Sequence, residues 1–127
     1  MTKRVITSPA APGAIGPYSH ANMVGRLVFC SGQLGLNPAT GALVEGGVQA
    51  QTRQALTNLS KVLAAAGTSL ANAVKTTVFL ATMDDFAAMN AIYGEFFPTD
   101  PPARTTVGGL SLPKGALVEI ELVADAG

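Results

Sequence analysis

A helical repeat of apolar residues, set among short β-branched runs, most restricts the fold of this 127-residue chain. From about Val48 to Ala66, apolar residues recur at i, i+3, i+4 and i+7, a spacing that builds one buried helix face. These residues are Ala55, Leu56, Leu59, Val62, Leu63 and Ala66. Gly67 follows as a natural C-terminal stop. The segment therefore predicts one amphipathic helix in the middle of the chain.

Five strand-like segments and a second helical segment make up most of the rest of the chain. In chain order they are KRVIT, the hairpin YSHANMVGRLVFCSGQ turning at Val24-Gly25-Arg26, AVKTTVFLA, ARTTV and ALVEIELVA, with a turn at Pro113-Lys114-Gly115 before the last. AVKTTVFLA is expected to be buried on both faces. DFAAMNAIYGEFF predicts the second helix, capped by Met83-Asp84-Asp85 and ended by Pro98.

The order β-β-β-α-β-α-β-β and the length predict a single domain over residues 1–127. Two helices can cover one face of a sheet, so the other face needs a partner. Only 13% of the residues are charged, well under the usual quarter or so. Both observations predict a homo-oligomer, with part of the surface hidden against other copies of the chain.

Charge, cysteine usage and hydropathy exclude several classes of protein. Lys+Arg and Asp+Glu both count 8, and the absence of a basic run argues against nucleic-acid binding. A single cysteine rules out an internal disulfide and suits a reducing cytoplasm. The start MTKRVITSP has no apolar core of a secretory signal, and no apolar run approaches the roughly 20 residues of a membrane span. We therefore expect a cytoplasmic protein without membrane contact.

The last strand carries two carboxylates on one face. Alternation places Val118, Ile120 and Leu122 on one side, and Glu119 and Glu121 on the other. A buried carboxylate is costly unless it is paired or hydrogen-bonded. The glutamates are therefore either structural, at a solvated rim or an interface, or part of a site.

Arg104, in PPARTT, is a second candidate functional residue. Its planar guanidinium can bind a carboxylate with two hydrogen bonds, and the preceding prolines stiffen the backbone that holds it. Two interpretations remain open: Arg104 pairs with Glu119 or Glu121, or it receives the carboxylate of a small substrate. In the second case, a glutamate from a neighbouring strand would handle the proton.

The sequence gives little support for a zinc site, a catalytic triad or a nucleotide-binding loop. His20 and Cys30 are the only residues of their types, so the usual zinc ligand set cannot be assembled. A Ser-His-Asp triad would depend on His20, which we expect at a rim or hydrogen-bonded within the hairpin. Cys30 is expected to be a small buried hydrophobe. Gly46-Gly47 matches no nucleotide-binding loop.

Five segments follow one another along the chain: AIGPYSHA, SGQLGLNPATG, VKTTVFLATMDDFAAMNAIY, PPAR and LPKGALVEIE. Together they resemble the RidA (YjgF) family of reactive-intermediate imine deaminases. The resemblance implies an α+β fold with a mixed sheet and two helices on one face, like that of the chorismate mutase of bacilli. It also implies a homotrimer with clefts between subunits, no cofactor, and hydrolysis of 2-imino acids and their enamine tautomers to 2-keto acids and ammonia.

The same resemblance implies roles for seven residues. Arg104 would bind the substrate carboxylate, and Glu119 would position or activate the attacking water. Tyr18, Ser31, Gly32 and Asn90 would line the cleft. Thr106 stands where several relatives have a cysteine, and its backbone N–H would still be able to serve the substrate.

Three alternative functions stay open at this point. The chain would be a regulatory module that binds a small carboxylate without turnover, or an endoribonuclease or translation inhibitor, a label attached to some family members. It would also remain a deaminase if its substrate were a different one, such as an aminoacrylate of pyrimidine breakdown.

Overall fold

The predicted elements appear in the expected order in a computed structural model that describes residues 2–127. Their bounds are β1 Arg4–Ile6, β2 Ala21–Val24, β3 Leu27–Leu34, α1 Gly47–Ala65, β4 Ala73–Leu80, α2 Phe86–Phe96, β5 Ala103–Val107 and β6 Val118–Asp125. Short 3-10 turns occur at Leu70–Asn72, Met83–Asp85 and Pro113–Gly115. Neither helix of the described chain has the length and apolar character needed to cross a membrane.

The strands form one mixed sheet in the order β1-β2-β3-β6-β4-β5. All neighbouring strands are antiparallel except β4 and β5, which are parallel because α2 returns the chain across the sheet between them. The last strand, β6, pairs with both β3 and β4 and so lies at the centre. One consequence matters for the site: β4 separates the strand that carries Arg104 from the strand that carries Glu119.

Both helices contribute to a core on one face of the sheet. Fully buried side chains of this core come from α1, α2, β4 and β6: Leu56, Leu59, Leu63, Met89, Val78, Leu80, Val118 and Ile120. Each such side chain contributes about 1.5–3 kcal/mol when it leaves water. The prediction of an α+β domain with a mixed sheet and two helices on one face is therefore confirmed.

The opposite face of the sheet is left uncovered by residues 2–127. Leu27, Phe29 and Val107 on this face are 42%, 46% and 39% exposed. From Thr76 to Leu80 in β4, only alternate residues are buried, and Phe79 on the uncovered side is half-buried. The prediction that both faces of β4 are buried is thus wrong for the single chain. Exposed apolar side chains on a sheet face that the chain's own helices do not cover are typical of an interaction surface.

The helices end close to the predicted residues. α1 ends at Ala65, and Gly67 follows in the left-handed region with φ of 82°. α2 ends at Phe96, two residues before Pro98, which cannot donate a backbone hydrogen bond. Both predicted stops are confirmed.

The start of α2 differs from the prediction. Met83–Asp85 forms a 3-10 turn of its own, and no side chain of this segment caps the helix. Instead, the Thr82 hydroxyl accepts a hydrogen bond from the Asp84 N–H at 3.1 Å. The cap lies one residue earlier because the chain tightens into a 3-10 turn before α2 begins.

Candidate active site

Arg104 lies on the edge strand β5 and points toward α2. It pairs with Thr76 of β4, a fully buried residue on the helix-covered side of the sheet. Its Nη1 donates a 2.7 Å hydrogen bond to Asn90 Oδ1. The guanidinium carbon also lies 4.7 Å from the Tyr93 ring centroid and 5.5 Å from that of Phe86. All three contacts come from α2, so the helix holds the guanidinium on one side.

No carboxylate of residues 2–127 neutralises Arg104. The ion pairs in this part of the chain join Arg26 to Asp125 and Arg53 to Glu95. Of the two interpretations left open, the pairing of Arg104 with Glu119 or Glu121 is therefore wrong within one chain. A guanidinium has five N–H donors, and only one is used by Asn90, so the remaining donors can receive an anion.

The Arg104 side chain borders a cleft of about 460 Å³, which we call the Arg104 cleft. Its wall is formed by Asn90, Tyr93, Gly94, Phe97, Pro101, Pro102 and Arg104. The two prolines that precede β5 thus form part of the wall as well as stiffening the approach to Arg104. A small acid would meet a cation on one side and apolar groups on the others.

Glu119 lies on β6 and faces away from the helices. Its neighbours Val118 and Ile120 are fully buried in the helix-covered core, so alternation directs Glu119 to the other side. The carboxyl group lies against Gly32, where an added Cβ would come within 2.8 Å of Glu119 Oε2. Burial, followed by the negative charge of Glu121, raises the pKa of Glu119. A carboxylate shifted in this direction is a better base near neutral pH.

Gly32 reaches Glu119 because β3 is irregular at this point. The pairing of β3 with β6 shifts between Cys30 and Gln33, which leaves two residues, Ser31 and Gly32, outside the regular ladder. The Ser31 hydroxyl donates a 2.6 Å hydrogen bond to the Ser19 carbonyl. This bond ties the bulge to the loop before β2.

A second cleft, of about 540 Å³, borders Glu119 and is called the Glu119 cleft below. Its wall comprises Pro12, Gly13, Ile15, Tyr18, Ser31, Gly32, Gln33, Leu34, Leu36, Pro113, Glu119 and Glu121. Four of the seven predicted site residues therefore share this cleft. Tyr18 is 46% exposed, and its hydroxyl accepts a 3.3 Å hydrogen bond from the Ile15 N–H.

Arg104 and Glu119 do not meet within one chain. Arg104 pairs with Thr76, whose side chain lies on the helix-covered face, whereas Glu119 pairs with Phe79 on the uncovered face. The expectation that the glutamate comes from an adjacent strand is wrong, because β4 lies between β5 and β6. The predicted residues thus form two separate half-sites on opposite faces of the sheet.

Asn90 and Thr106 belong to the Arg104 side. Asn90 borders the Arg104 cleft and binds the guanidinium. Thr106, two residues after Arg104, pairs with the fully buried Val78, so it shares the helix-covered face. Its Oγ1 is buried and finds no hydrogen-bond partner within residues 2–127. A buried unpaired hydroxyl is uncommon, because its lost hydrogen bonds to water are not replaced within the chain.

Sequence reasoning missed two aromatic residues of this site. Phe86 and Tyr93 contact Arg104 from α2, at four and three residues from Asn90. The spacing i, i+4 and i+7 places Phe86, Asn90 and Tyr93 on one helix face. That spacing was the available signal, although it equally describes residues that only pack in a core.

His20 and Cys30 are both buried, and their contacts are those of structural residues. His20 is buried; its Nδ1 accepts from the Ser8 N–H at 3.0 Å, which leaves Nε2 to donate to the Pro12 carbonyl at 2.7 Å. Of the two alternatives for His20, the hydrogen-bonded one is confirmed, with partners in the loop before the hairpin, and the rim position is wrong because the side chain is buried. Cys30 is buried as predicted, and burial raises the pKa of its thiol to about 12. Within residues 2–127, no three His, Cys, Asp or Glu residues are grouped so that they could hold a metal ion.

Comparisons with known proteins agree on one family. A family model described as endoribonuclease L-PSP matches residues 8–126. A human protein named 2-iminobutanoate/2-iminopropanoate deaminase is 48% identical over 127 residues, covering all of this chain and 93% of the human protein.

Two solved structures show the same likeness in three dimensions. A Rid-family protein from Yersinia pestis superposes with a TM-score of 0.94 at 47% identity, covering 98% of this chain and 99% of that one. E. coli TdcF, solved with bound serine, has a TM-score of 0.92 at 38% identity, covering 98% and 99%. The chain therefore belongs to the endoribonuclease L-PSP family, which is the RidA (YjgF) family that its motifs predict.

Proposed function

We propose that this protein hydrolyses 2-imino acids, such as 2-iminobutanoate, and their enamine tautomers, such as 2-aminoacrylate, to 2-keto acids and ammonia. The observation that carries the proposal is Arg104, a guanidinium without a carboxylate partner in residues 2–127, held at the edge of a cleft. The human relative named 2-iminobutanoate/2-iminopropanoate deaminase, 48% identical over the whole chain, supports the same activity.

The proposed site lies between two chains. Arg104, Asn90 and Thr106 of one chain face Glu119 and the rest of the Glu119 cleft of the next. Two features support this: the half-sites lie on opposite faces of one sheet, and the uncovered face carries exposed apolar side chains such as Phe29. A cyclic assembly, which we propose to be a homotrimer, repeats one such contact at every interface.

Arg104 is proposed to recognise the substrate carboxylate. A planar guanidinium and a carboxylate form two parallel charge-assisted hydrogen bonds, which fix the substrate's orientation as well as its position. E. coli TdcF, which shares the fold, was solved with bound serine. Serine carries a carboxylate and a nitrogen on the same carbon, as a 2-imino acid does, so the ligand of that relative supports the proposed substrate class.

Glu119 is proposed to handle the protons. Its carboxylate removes a proton from water as the water oxygen bonds to the imine carbon of the protonated substrate. The resulting intermediate carries hydroxyl and amino groups on that carbon. Glu119 then returns the proton to the amino nitrogen, the C–N bond breaks, and the hydroxyl proton is released to ammonia. One iminium ion and one water thus give one 2-keto acid and one ammonium ion, with the carboxylate regenerated.

The proposed reaction requires only a modest acceleration by the protein. A protonated imine is already electrophilic, so the protein needs to orient a water and transfer a proton, and the proposed reaction uses no cofactor. A raised pKa suits the base that this step requires. Tyr18, Ser31 and Gly32 are proposed to border the substrate on the Glu119 side.

The test generates 2-iminobutanoate in the assay with a threonine dehydratase and follows release of the keto acid. Wild-type protein is expected to accelerate release, and Arg104→Ala to lose nearly all of that acceleration. Arg53→Ala is the matched control, because Arg53 lies in an exposed ion pair with Glu95 on the helices. Wild-type rates in Arg104→Ala would remove the carboxylate anchor from the proposal.

Two alternatives give different results in parallel measurements. A regulatory module would be stabilised by a 2-keto acid in a thermal-shift experiment and show no turnover. The absence of nucleic-acid binding stays a prediction, although the family model is described as an endoribonuclease. Filter binding of single-stranded RNA at several salt concentrations tests it, because backbone contacts with RNA weaken steeply as salt rises.

A further inference from the structure

The Arg104 guanidinium rests on an aromatic ring that is itself anchored in the core. Tyr93 is 6% exposed, its ring centroid lies 4.7 Å from the guanidinium carbon, and its hydroxyl lies 2.7 Å from Thr76 Oγ1. Thr76 is fully buried and is the direct β4 partner of Arg104. The three residues therefore contact one another: Thr76 binds the Tyr93 hydroxyl, the Tyr93 ring packs against the guanidinium, and Arg104 pairs with Thr76 across the two strands.

The support on the Arg104 side has two different chemical parts. Asn90 restrains the guanidinium within its plane, because Oδ1 accepts from Nη1 at 2.7 Å. An aromatic face restrains it out of the plane by cation–π attraction, which grows when the pair is removed from water. Tyr93 lies closer to the guanidinium than Phe86 does, at 4.7 Å against 5.5 Å.

The Tyr93 hydroxyl matters because a ring can rotate. Its bond to Thr76 holds the phenol in one orientation, and packing against Phe97, 4.6 Å between centroids, restrains the other side. Burial raises the pKa of the Tyr93 phenol. The group therefore remains neutral and keeps its hydrogen bond.

We infer that Tyr93 is a positioning residue: through its ring and its bond to Thr76, it sets the plane in which Arg104 presents its free N–H donors to the substrate carboxylate. This inference rests on the proposed function. A bidentate contact tolerates little tilt, so loss of the ring weakens carboxylate binding even though Arg104 keeps its charge. Tyr93 itself takes no part in the proton transfers.

The experiment measures ligand binding and turnover separately in the assembled protein. Calorimetry gives the Kd of 2-ketobutyrate and of its uncharged methyl ester, and the coupled dehydratase assay gives kcat and KM for 2-iminobutanoate. Tyr93→Leu removes the ring, and Tyr93→Phe keeps the ring but loses the hydroxyl. Ile92→Val is the control, because Ile92 is a neighbouring buried residue of α2 without a cation–π or hydrogen-bond contact to Arg104.

Tyr93→Leu is expected to raise the Kd of 2-ketobutyrate and the KM about tenfold, which lies between the effects of an exposed and a desolvated cation–π contact. The Kd of the methyl ester and kcat should change less than about twofold, and Tyr93→Phe should raise the Kd of the acid about threefold. A purely structural role would weaken acid and ester alike and lower kcat, which would overturn the inference. So would an unchanged acid Kd in a folded Tyr93→Leu.

Two further outcomes remain decisive. If Tyr93→Leu does not fold, Tyr93→Phe decides alone, and an acid Kd equal to that of wild type overturns the inference. If wild-type protein binds 2-ketobutyrate but does not accelerate keto-acid release, the proposed function fails. The Kd values then still test the role of Tyr93, since binding does not depend on turnover.

Discussion

Arg104 and Glu119 lie on opposite faces of one sheet, on strands that are separated by β4. A substrate bound to the guanidinium of one chain therefore lies on the other side of the sheet from the carboxylate of the same chain. The chain instead presents two half-sites, each with its own cleft. If both residues act on one molecule, they must come from different copies.

Mixed assemblies test this directly. Chains with Arg104→Ala and chains with Glu119→Gln are each expected to be inactive alone. Coexpressed, they should recover about a quarter of wild-type activity in the proposed trimer, because about three-quarters of randomly assembled trimers would be mixed, each with one intact site of three. The measurement is the imine-assay activity of the whole coexpressed population, purified without separating mixed from unmixed assemblies.

The control is coexpression of the double variant Arg104→Ala/Glu119→Gln with wild-type chains. That mixture supplies intact residues only from the wild-type chains. If each site drew both residues from one chain, complementary single variants would recover nothing, and the two-chain site would be wrong.

The pH dependence of turnover should report the ionisation of the Glu119 carboxyl group. Burial and the neighbouring Glu121 raise the pKa of Glu119, and the proposed base must be ionised. Activity is thus expected to fall as the pH decreases through a midpoint above about 4.3, the ordinary value for glutamate. The measurement is the pH profile of kcat/KM, corrected for uncatalysed hydrolysis of the imine.

Glu121→Gln provides the internal check on the cause of this shift. Removing the like charge should move the midpoint to lower pH, because only the burial contribution remains. A midpoint that moves upward, or a wild-type midpoint at or below the ordinary range, would mean that Glu119 is not the group observed.

The sequence predicts the elements well because most of them bury one face and so carry a periodic pattern. β6 shows this most clearly: Val118, Ile120 and Leu122 alternate with partly or fully exposed residues. α1 does so at helical spacing, and Gly67 ends it in the left-handed region. Local periodicity of this kind needs no knowledge of the neighbours.

The site is harder to predict because it depends on long-range pairing. Nothing local indicates that β6 inserts between β3 and β4, so the separation of Arg104 from Glu119 appears only in the sheet order. In β5, each face carries a threonine, and threonine suits a buried or an exposed position equally. The pattern of the strand therefore does not reveal the direction of the Arg104 guanidinium. Tyr93 reads as an ordinary core aromatic until its distance from Arg104 is known.

Two threonines on the same sheet face should respond oppositely to replacement by valine. Thr106 Oγ1 is buried without a partner in residues 2–127, so Thr106→Val is expected to leave the free energy of unfolding unchanged or raise it. Thr76→Val removes the partner of the Tyr93 hydroxyl and should cost about 1–3 kcal/mol of unfolding free energy. Urea unfolding of both variants gives the comparison.

The same pair tests whether the Thr106 hydroxyl contacts the substrate in addition to the backbone N–H that the family resemblance implies. If its hydroxyl serves the substrate, Thr106→Val raises the KM while stability is kept. An unchanged KM would leave only the backbone N–H as a contact. A loss of stability in Thr106→Val equal to that in Thr76→Val would show that the hydroxyl has a partner in the assembled protein.

Gly32→Ala should disturb Glu119 with little effect on the fold. The added Cβ would lie 2.8 Å from Glu119 Oε2, the movable end of a side chain, so the carboxylate is expected to shift. General-base catalysis depends on hydrogen-bond reach, and a displaced base should lower kcat about tenfold or more. In a Glu119→Ala background, the same substitution should cost almost nothing, because no carboxylate remains to be moved. Equal losses in both backgrounds would instead indicate a direct substrate contact at Gly32.

A positive charge on the uncovered sheet face should prevent assembly. Phe29 is 46% exposed and lies beside Val123 of β6, so Phe29→Lys leaves the chain's own core intact but would bury an unpaired ammonium between copies. Sedimentation velocity is expected to show a monomer, and the imine assay a matching loss of activity, since each half-site loses its complement. Ala64→Lys, on the exposed side of α1, is the matched control and should preserve both. A Phe29→Lys protein that stays assembled would place the subunit contact elsewhere, whereas an active monomer would contradict the two-chain site itself.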